Sequence, residues 1–196
     1  MFKNKKVKRC LLCGNKNLKK IFSLGNLFVS NFVNKKDINK MQKCPLSLQY
    51  CKKCTLVQLT HIAPQELMYR RYYWYKSGIT ETMKKGLQDI YFKSKKFIKL
   101  DRNDVILDIG ANDGTLINFY KKKYKTIGCE PAKNLISDLK KKCHYTISDF
   151  WSKKSLDKIL KKHNLNKPKI ITAIGMFYDL EKPMKFINDI AKSLDD

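Results

Sequence analysis

Two Cys-x-x-Cys pairs, Cys10-Leu-Leu-Cys13 and Cys51-Lys-Lys-Cys54, constrain this chain more than any other feature. Two thiolates three residues apart clasp one edge of a metal tetrahedron, and a second such pair supplies the opposite edge. Cys13 and Cys51 stand 38 positions apart, a longer loop than in a short zinc ribbon. The pattern therefore specifies zinc and leaves the subtype open. Surrounding lysines lower thiol pKa values and favour thiolate. Four thiolates fill the coordination sphere, so the zinc expected on Cys10, Cys13, Cys51 and Cys54 is structural. The alternatives are four unliganded cysteines, some buried as small hydrophobes, and a thioredoxin-like redox site. The second fits less well, since neither pair sits between a strand and a helix. Cys44 is a bystander, and Cys129 and Cys143 read as core or surface cysteines.

The length of 196 residues allows one large domain, or a small module joined to a medium one. With 43% hydrophobic and 11% aromatic residues there is material for a real core, which a disordered basic tail lacks. No run approaches the ~20 apolar residues of a membrane span. Residues 1–9 are basic with no apolar stretch behind them, which argues against a secretory signal and places the chain in the cytoplasm. Paired cysteines in a reducing compartment are more often metal ligands or redox centres than disulfides.

The net charge is +25, and 38 of the 42 basic residues are Lys. Proteins that read bases or clamp phosphates draw on Arg for its bidentate fork. Residues 1–100 carry a net +19 and residues 101–196 a net +6. Such a field attracts polyanions and equally a pyrophosphate-bearing small substrate. The low Arg share favours a solvated Lys surface over a nucleic-acid interface.

Four segments are expected: a mobile basic lead-in (1–9), an irregular zinc-binding module (10–60), an aromatic linker and helix (61–100), and an α/β domain (101–196). A helix with an apolar face follows Thr80 or Ser77 as cap, through Met83, Leu87, Ile90, Tyr91, Phe97 and Ile98. Strands at 105–109, 125–129, 145–147 and 170–174 then alternate with helices at 115–123, 132–142, 155–163 and from Pro183 onward. That alternation means βαβ units and a parallel sheet.

Leu107-Asp-Ile-Gly-Ala-Asn-Asp-Gly-Thr115 follows a buried strand and opens a helix, the context that gives a glycine loop meaning. Gly110 permits a tight turn, and Gly114 admits a close approach of a ligand or of the helix start. Asp108 is expected to point into the crevice at the carboxyl edge of the sheet. Glu130 lies 20 residues after Gly110, where an acid takes both ribose hydroxyls of a nucleotide. Gly-x-x-x-Gly with a leading acid departs from the dinucleotide fingerprint and suits S-adenosylmethionine, which carries a sulfonium and an amino acid but no phosphate. Asn112 and Asp113 belong to the same loop.

Asp149 is placed to accept from an adenine amino group and Phe150 to pack on the ring; an Asp capping the next helix is an equal reading. Tyr178 and Asp179 end the fourth strand beside the crevice, while Met176 and Phe177 read as core. The cluster Tyr72-Tyr-Trp-Tyr-Lys-Ser-Gly78 fits interdomain packing, base stacking, or an active site with a tyrosine as acid or base. Periodicity does not choose among these.

Cys-x-x-Cys-Gly, Leu46-x-Leu48-x-x-Cys51-x-x-Cys54-x-Leu-Val-Gln-Leu59, Tyr73-x-Tyr75-x-Ser77-Gly78 and Leu107-Asp-Ile-Gly-x-Asn-Asp-Gly114 occur in that order. Together they resemble the zinc-containing, S-adenosylmethionine-dependent sugar C-methyltransferases of the NDP-4-keto-deoxyhexose 3-C-methyltransferase type. The resemblance implies a zinc module followed by a class I, Rossmann-like methyltransferase domain. It implies a nucleotide sugar as acceptor and methylation of an enolate beside its C4 ketone. It puts Tyr73 and Tyr75 on the substrate side and Asp108, Gly110, Asn112, Asp113, Gly114, Glu130, Asp149 and Phe150 on the cofactor side. The family is longer, its sheet has seven strands, and its acid–base histidine and glutamate have no counterpart here. The expectation is therefore an incomplete, truncated or split enzyme, completed by a C-terminal polypeptide. Two other readings stand beside it: a methyltransferase for another small metabolite, and a zinc-stapled nucleic-acid-binding protein.

Overall fold

The computed structural model describes residues 3–29 and 34–195. Met1 and Phe2 of the expected lead-in, residues 30–33 of the expected zinc module and Asp196 lie outside them. The chain divides into two compact units, one reaching Arg71 and including Glu181–Met184, the other formed by Tyr72–Leu180 and Lys185–Asp196.

The first unit is built from antiparallel ladders. Strands β1 (Lys5–Lys6) and β5 (His61–Ile62) pair with each other. Strands β2 (Leu18–Phe28), β3 (Lys43–Cys51) and β4 (Val57–Leu59) form a three-stranded sheet in that order. The expected irregular module thus contains an ordered antiparallel sheet. The basic N-terminus, expected to be mobile, contributes a strand, and Val7 donates its amide to Thr60 O at 2.9 Å.

The polarity of this sheet is inverted. The register places Phe22, Leu48 and Leu59 side by side across the three strands, with Tyr50 and Val57 next along the same face. Phe22 and Val57 are both more than half exposed, and Leu27, Leu46 and Leu59 are exposed as well. The opposite face carries Ser47, Gln49, Cys51 and Gln58, all buried. Those polar groups are satisfied: Ser47 Oγ meets Ser23 Oγ at 2.7 Å, and Gln49 Nε2 donates to Val7 O at 3.1 Å.

The second unit alternates helix and strand. Helix α1 (Glu81–Phe97) is capped by the Thr80 hydroxyl, which accepts from Met83 N, and buries Leu87 and Tyr91. There follow β6 (Val105–Ile109), α2 (Thr115–Lys121), β7 (Lys125–Cys129), α3 (Ile136–Lys142), β8 (Tyr145–Ile147), α4 (Lys153–His163), β9 (Pro168–Thr172) and α5 (Pro183–Ala191). The four strands form a parallel sheet in the order β8-β7-β6-β9. The fourth strand runs two residues earlier than its expected span.

Strand β6 is buried along its whole length because both faces are covered. Ile106 joins Leu87, Tyr91, Leu116, Ile117, Tyr120 and Leu139 on one side. Val105, Leu107 and Ile109 join Ile127, Leu156 and Phe186 on the other. This doubly covered sheet presents the loops after β6, β7 and β9 at one edge. The architecture is a mixed α/β fold with a Rossmann-like parallel sheet.

Gly114 caps α2 in the left-handed region, at φ 78°. A Cβ there would lie 2.9 Å from Lys142 Cβ and 3.0 Å from Leu139 Cδ1, so the close approach is that of α3. Gly114→Ala should lower the urea unfolding free energy by about 2 kcal/mol through backbone strain and this clash. An unchanged unfolding midpoint would mean that α3 yields freely.

Candidate functional site

The two Cys-x-x-Cys turns are built alike. Gly14 N donates to Cys10 O and Thr55 N donates to Cys51 O, both at 2.9 Å. Gly14 and Thr55, each following the second cysteine of its pair, both have positive φ, at 72° and 60°. This turn curls each pair so that its two sulfurs face the same point. Gln58 secures the first turn to β4: its Oε1 accepts from Leu11 N at 2.9 Å and its Nε2 donates to Arg9 O at 3.2 Å.

The sulfurs of Cys10, Cys13, Cys51 and Cys54 all lie within 4.8 Å of one another. Cys10 Sγ is 3.5 Å from Cys54 Sγ, and Cys13 Sγ is 3.6 Å from Cys51 Sγ. A zinc tetrahedron with Zn–S near 2.3 Å has sulfur–sulfur edges of ~3.8 Å. The donor set and its spacing therefore fit zinc. Amide bonding from Cys54 pulls the Cys51 thiol down to about 6. Cys54 goes up to about 12: its bond with the Leu56 amide lowers it, and burial and the three neighbouring sulfurs outweigh that. Four sulfurs this close ionise together only around a cation. With all four positions filled by protein, the site is a structural one.

The second site lies at the carboxyl edge of the parallel sheet. Glu130, just past β7, is buried, and its pKa is raised chiefly by that burial. Its Oε2 accepts from Asn112 N at 2.9 Å and its Oε1 from Ala132 N at 2.8 Å. Each oxygen keeps one lone pair for a further donor. Gly110 turns the chain at φ 69° and lies under Met176. Asp108 does not open onto the crevice: it is buried, and Thr172 Oγ1 donates to its Oδ1 at 2.7 Å. Burial raises its carboxyl to about 7.

Asn112 and Asp113 turn their side chains to protein. Asn112 Oδ1 accepts from Ser77 N at 2.9 Å, and its Nδ2 donates to Tyr75 O at 3.0 Å. Asp113 Oδ1 accepts from Thr115 Oγ1 at 2.7 Å, while its Oδ2 accepts from Gly78 N and from Lys142 Nζ, both at 3.1 Å. Residues 72–78 are thereby drawn across the glycine loop. Gly78 leaves no room for a side chain, since a Cβ would sit 2.5 Å from Asp113 Oδ2.

Tyr73 and Tyr75 come to this edge with the loop. The Tyr73 phenol is pushed up first by burial, then by Asp179, Tyr178, Glu130 and Tyr75, which share its surroundings. Tyr178 is exposed, and so is Phe177, which is not the core residue expected, although one edge of it packs on Phe186. Asp149 lies exposed after β8, with its Oδ1 accepting from Phe150 N at 2.7 Å. It does not cap α4; Ser152 does, accepting from Ser155 N. The half-buried Phe150 stands beside it.

Three contributors carry no sequence signal. Asn134 brackets the Tyr73 backbone, accepting from its N at 2.9 Å and donating to its O at 3.1 Å. Asp138 pairs with Lys76 at 2.9 Å. Thr172 holds Asp108. Each acts on a partner dozens of residues away, and no local pattern marks it.

Residues 10–69 match a family model described as "Putative zinc binding domain" (Methyltransf_13). C-methyltransferase NovU of Streptomyces niveus is 24% identical over 135 residues, which is 66% of this chain and 31% of NovU. The matched stretch thus spans less than a third of that relative.

Protein purified without chelator should contain about one zinc per chain by metal analysis. Chelation should expose the Gly14 and Thr55 amides to hydrogen exchange. Four titratable free thiols in metal-free, folded protein would refute this site.

Asp108 also gives a pH signature. Its folded pKa of about 7 lies above the ordinary 3.8, so the folded state binds the proton more tightly. The stability it contributes is complete below about pH 4 and is lost as pH rises to about 7. At 1.36 kcal/mol per unit the loss is on the order of 4 kcal/mol. Asp108→Asn should flatten the stability profile across that window, measured by urea unfolding at several pH values. A slope equal to wild type would contradict the assignment.

Proposed function

We propose that this chain carries the cofactor site and the zinc module of an S-adenosylmethionine-dependent C-methyltransferase acting on a nucleotide-linked 4-keto sugar. The observation that carries the reading is the conjunction of a four-cysteine cluster with Glu130 and the glycine loop at the edge of a parallel sheet. The similarity to NovU, a C-methyltransferase by name, supports it.

The remaining lone pairs of Glu130 suit the two ribose hydroxyls, and the bend at Gly110 brings main chain towards the amino-acid end. S-adenosylmethionine, when bound, supplies an electrophilic methyl on a sulfonium. Glu130 and Asp179 give the surroundings a negative field, which favours that cation.

Tyr73 takes the acceptor side. Its raised pKa keeps the phenol protonated at neutral pH, so it acts as a hydrogen-bond donor. A donor there stabilises the oxyanion that develops when the proton beside the ketone is removed. Tyr75 lies two residues along the same segment. The base that removes the proton is not assigned to this chain; a further polypeptide section supplies it. The match covers 31% of NovU, which leaves ample chain in that relative for such a section.

The reading favours a small-molecule acceptor over nucleic acid, since 38 of 42 basic residues are Lys. It also favours the reducing cytoplasm, where a thiolate cluster persists. Among the described residues no helix is long and apolar enough to cross a membrane.

Calorimetric titration of S-adenosylmethionine into the zinc-loaded chain should show one saturable site, weakened at least tenfold by Glu130→Ala. Equal affinity in the variant would remove Glu130 from the site. No binding to a cooperatively folded wild type would remove the cofactor reading for this chain.

A further inference from the structure

Residues 72–78 form no ladder with any described strand, yet three side chains of the second unit hold their backbone through five hydrogen bonds, and a fourth side chain pairs with Lys76. Asn134 matches its amide to both the N–H and the C=O of Tyr73, as a neighbouring strand would. Asn112 accepts from Ser77 N and donates to Tyr75 O. Asp113 accepts from Gly78 N, and Asp138 pairs with Lys76. A primary amide donates and accepts in one plane without carrying charge. A residue bonded at both its N–H and its C=O has little freedom to rotate. The direction in which its Cα–Cβ bond leaves the chain is then fixed by the amide that holds it.

We propose that Asn134 and Asn112 are positioning residues that orient Tyr73 and Tyr75, respectively, at the crevice edge. This rests on the reading of those tyrosines as the acceptor side. Asn112 has a second attachment that gives it a special place. Its own N–H is held by Glu130 Oε2 at 2.9 Å. One residue therefore joins the acid on the cofactor side to the segment on the acceptor side. Its φ of 53° lies in the left-handed region, a conformation that Asn tolerates better than most residues.

Packing alone would explain a held segment, so the test reads the tyrosine itself. The Tyr73 phenol titrates above the ordinary tyrosine range in its half-buried place. In the full zinc-loaded chain its ionisation is isolated at 295 nm as the difference between each protein and its Tyr73→Phe counterpart. Asn134→Ala should return the midpoint towards 10 and speed exchange of the Tyr73 amide at least tenfold. The β6 amides and the urea midpoint should stay at wild-type values. Asn134→Gln, with the same amide on a longer arm, should restore more than half of the shift. Asn112→Gly keeps the positive φ, removes the amide, and should speed exchange at Ser77 in the same way.

Wild-type ionisation and exchange in both Asn134→Ala and Asn112→Gly would overturn the proposal. So would a loss spread equally over β6, which marks a merely structural role. If Asn134→Ala does not fold, Asn134→Gln and Asn112→Gly decide the question by the same readouts. S-adenosylmethionine titration of the same proteins keeps the two readings apart. Loss of cofactor binding in wild type refutes the proposed function, while the Tyr73 measurements still decide the positioning role.

Discussion

The hydrogen bond from the Asn112 amide to Glu130 holds the second unit's working edge together. A buried carboxylate is expensive unless donors reach it, and here two backbone amides do. Meeting that demand locks the loop after β6 to the tip of β7. The residue that satisfies the acid is also the one that reaches out to residues 75 and 77. The tip of β7, the glycine loop and the tyrosine segment thus share one hinge point. Asp113 completes it by tying Gly78 and the first turn of α2 to Lys142.

The first unit solves a different problem. Its sheet places Ser47, Gln49 and Gln58 inward and leaves Phe22, Val57 and Leu59 outward, so ordinary apolar burial holds little of it. Small units with a meagre core need a staple. The four-sulfur cluster provides one, and the buried glutamines extend it. Gln58 joins β4 to the first cysteine turn, and Gln49 joins β3 to Val7 and Leu59. Losing the metal site would leave those buried amides with no fixed partner segment.

This division explains what could be read from the residues. The parallel strands were legible because Val105–Ile109 is apolar at every position but Asp108, as double coverage favours. Helix α1 was legible from its spacing and from Thr80. The cysteine pairs declared themselves by interval. The antiparallel sheet was hidden, because its outward residues are the apolar ones. Irregularities between Lys20 and Phe22 and between Ser23 and Asn26 further break the two-residue alternation of β2. Asp108 looked like a ligand of the crevice because its position in the strand is right, while Thr172, which claims it, is 64 residues away. The roles of Asn112 and Asp113 were obscured in the same way. Loop residues of that kind suit a ligand or a neighbouring backbone equally, and only the fold brings Ser77 and Gly78 beside them.

The inverted sheet of the first unit has a consequence for how molecules of this protein meet one another. Residues 1–71 carry sixteen basic and two acidic side chains. In dilute buffer that charge keeps two such units apart, although each presents an oily surface. The repulsion reaches about 8 Å at physiological ionic strength and only about 3 Å in molar salt, while the attraction between apolar surfaces survives screening. Concentrated salt, commonly added to keep basic proteins in solution, here weakens the barrier between two apolar faces. The colloidal life of the chain is set by its counterions, and its lysines serve as spacers.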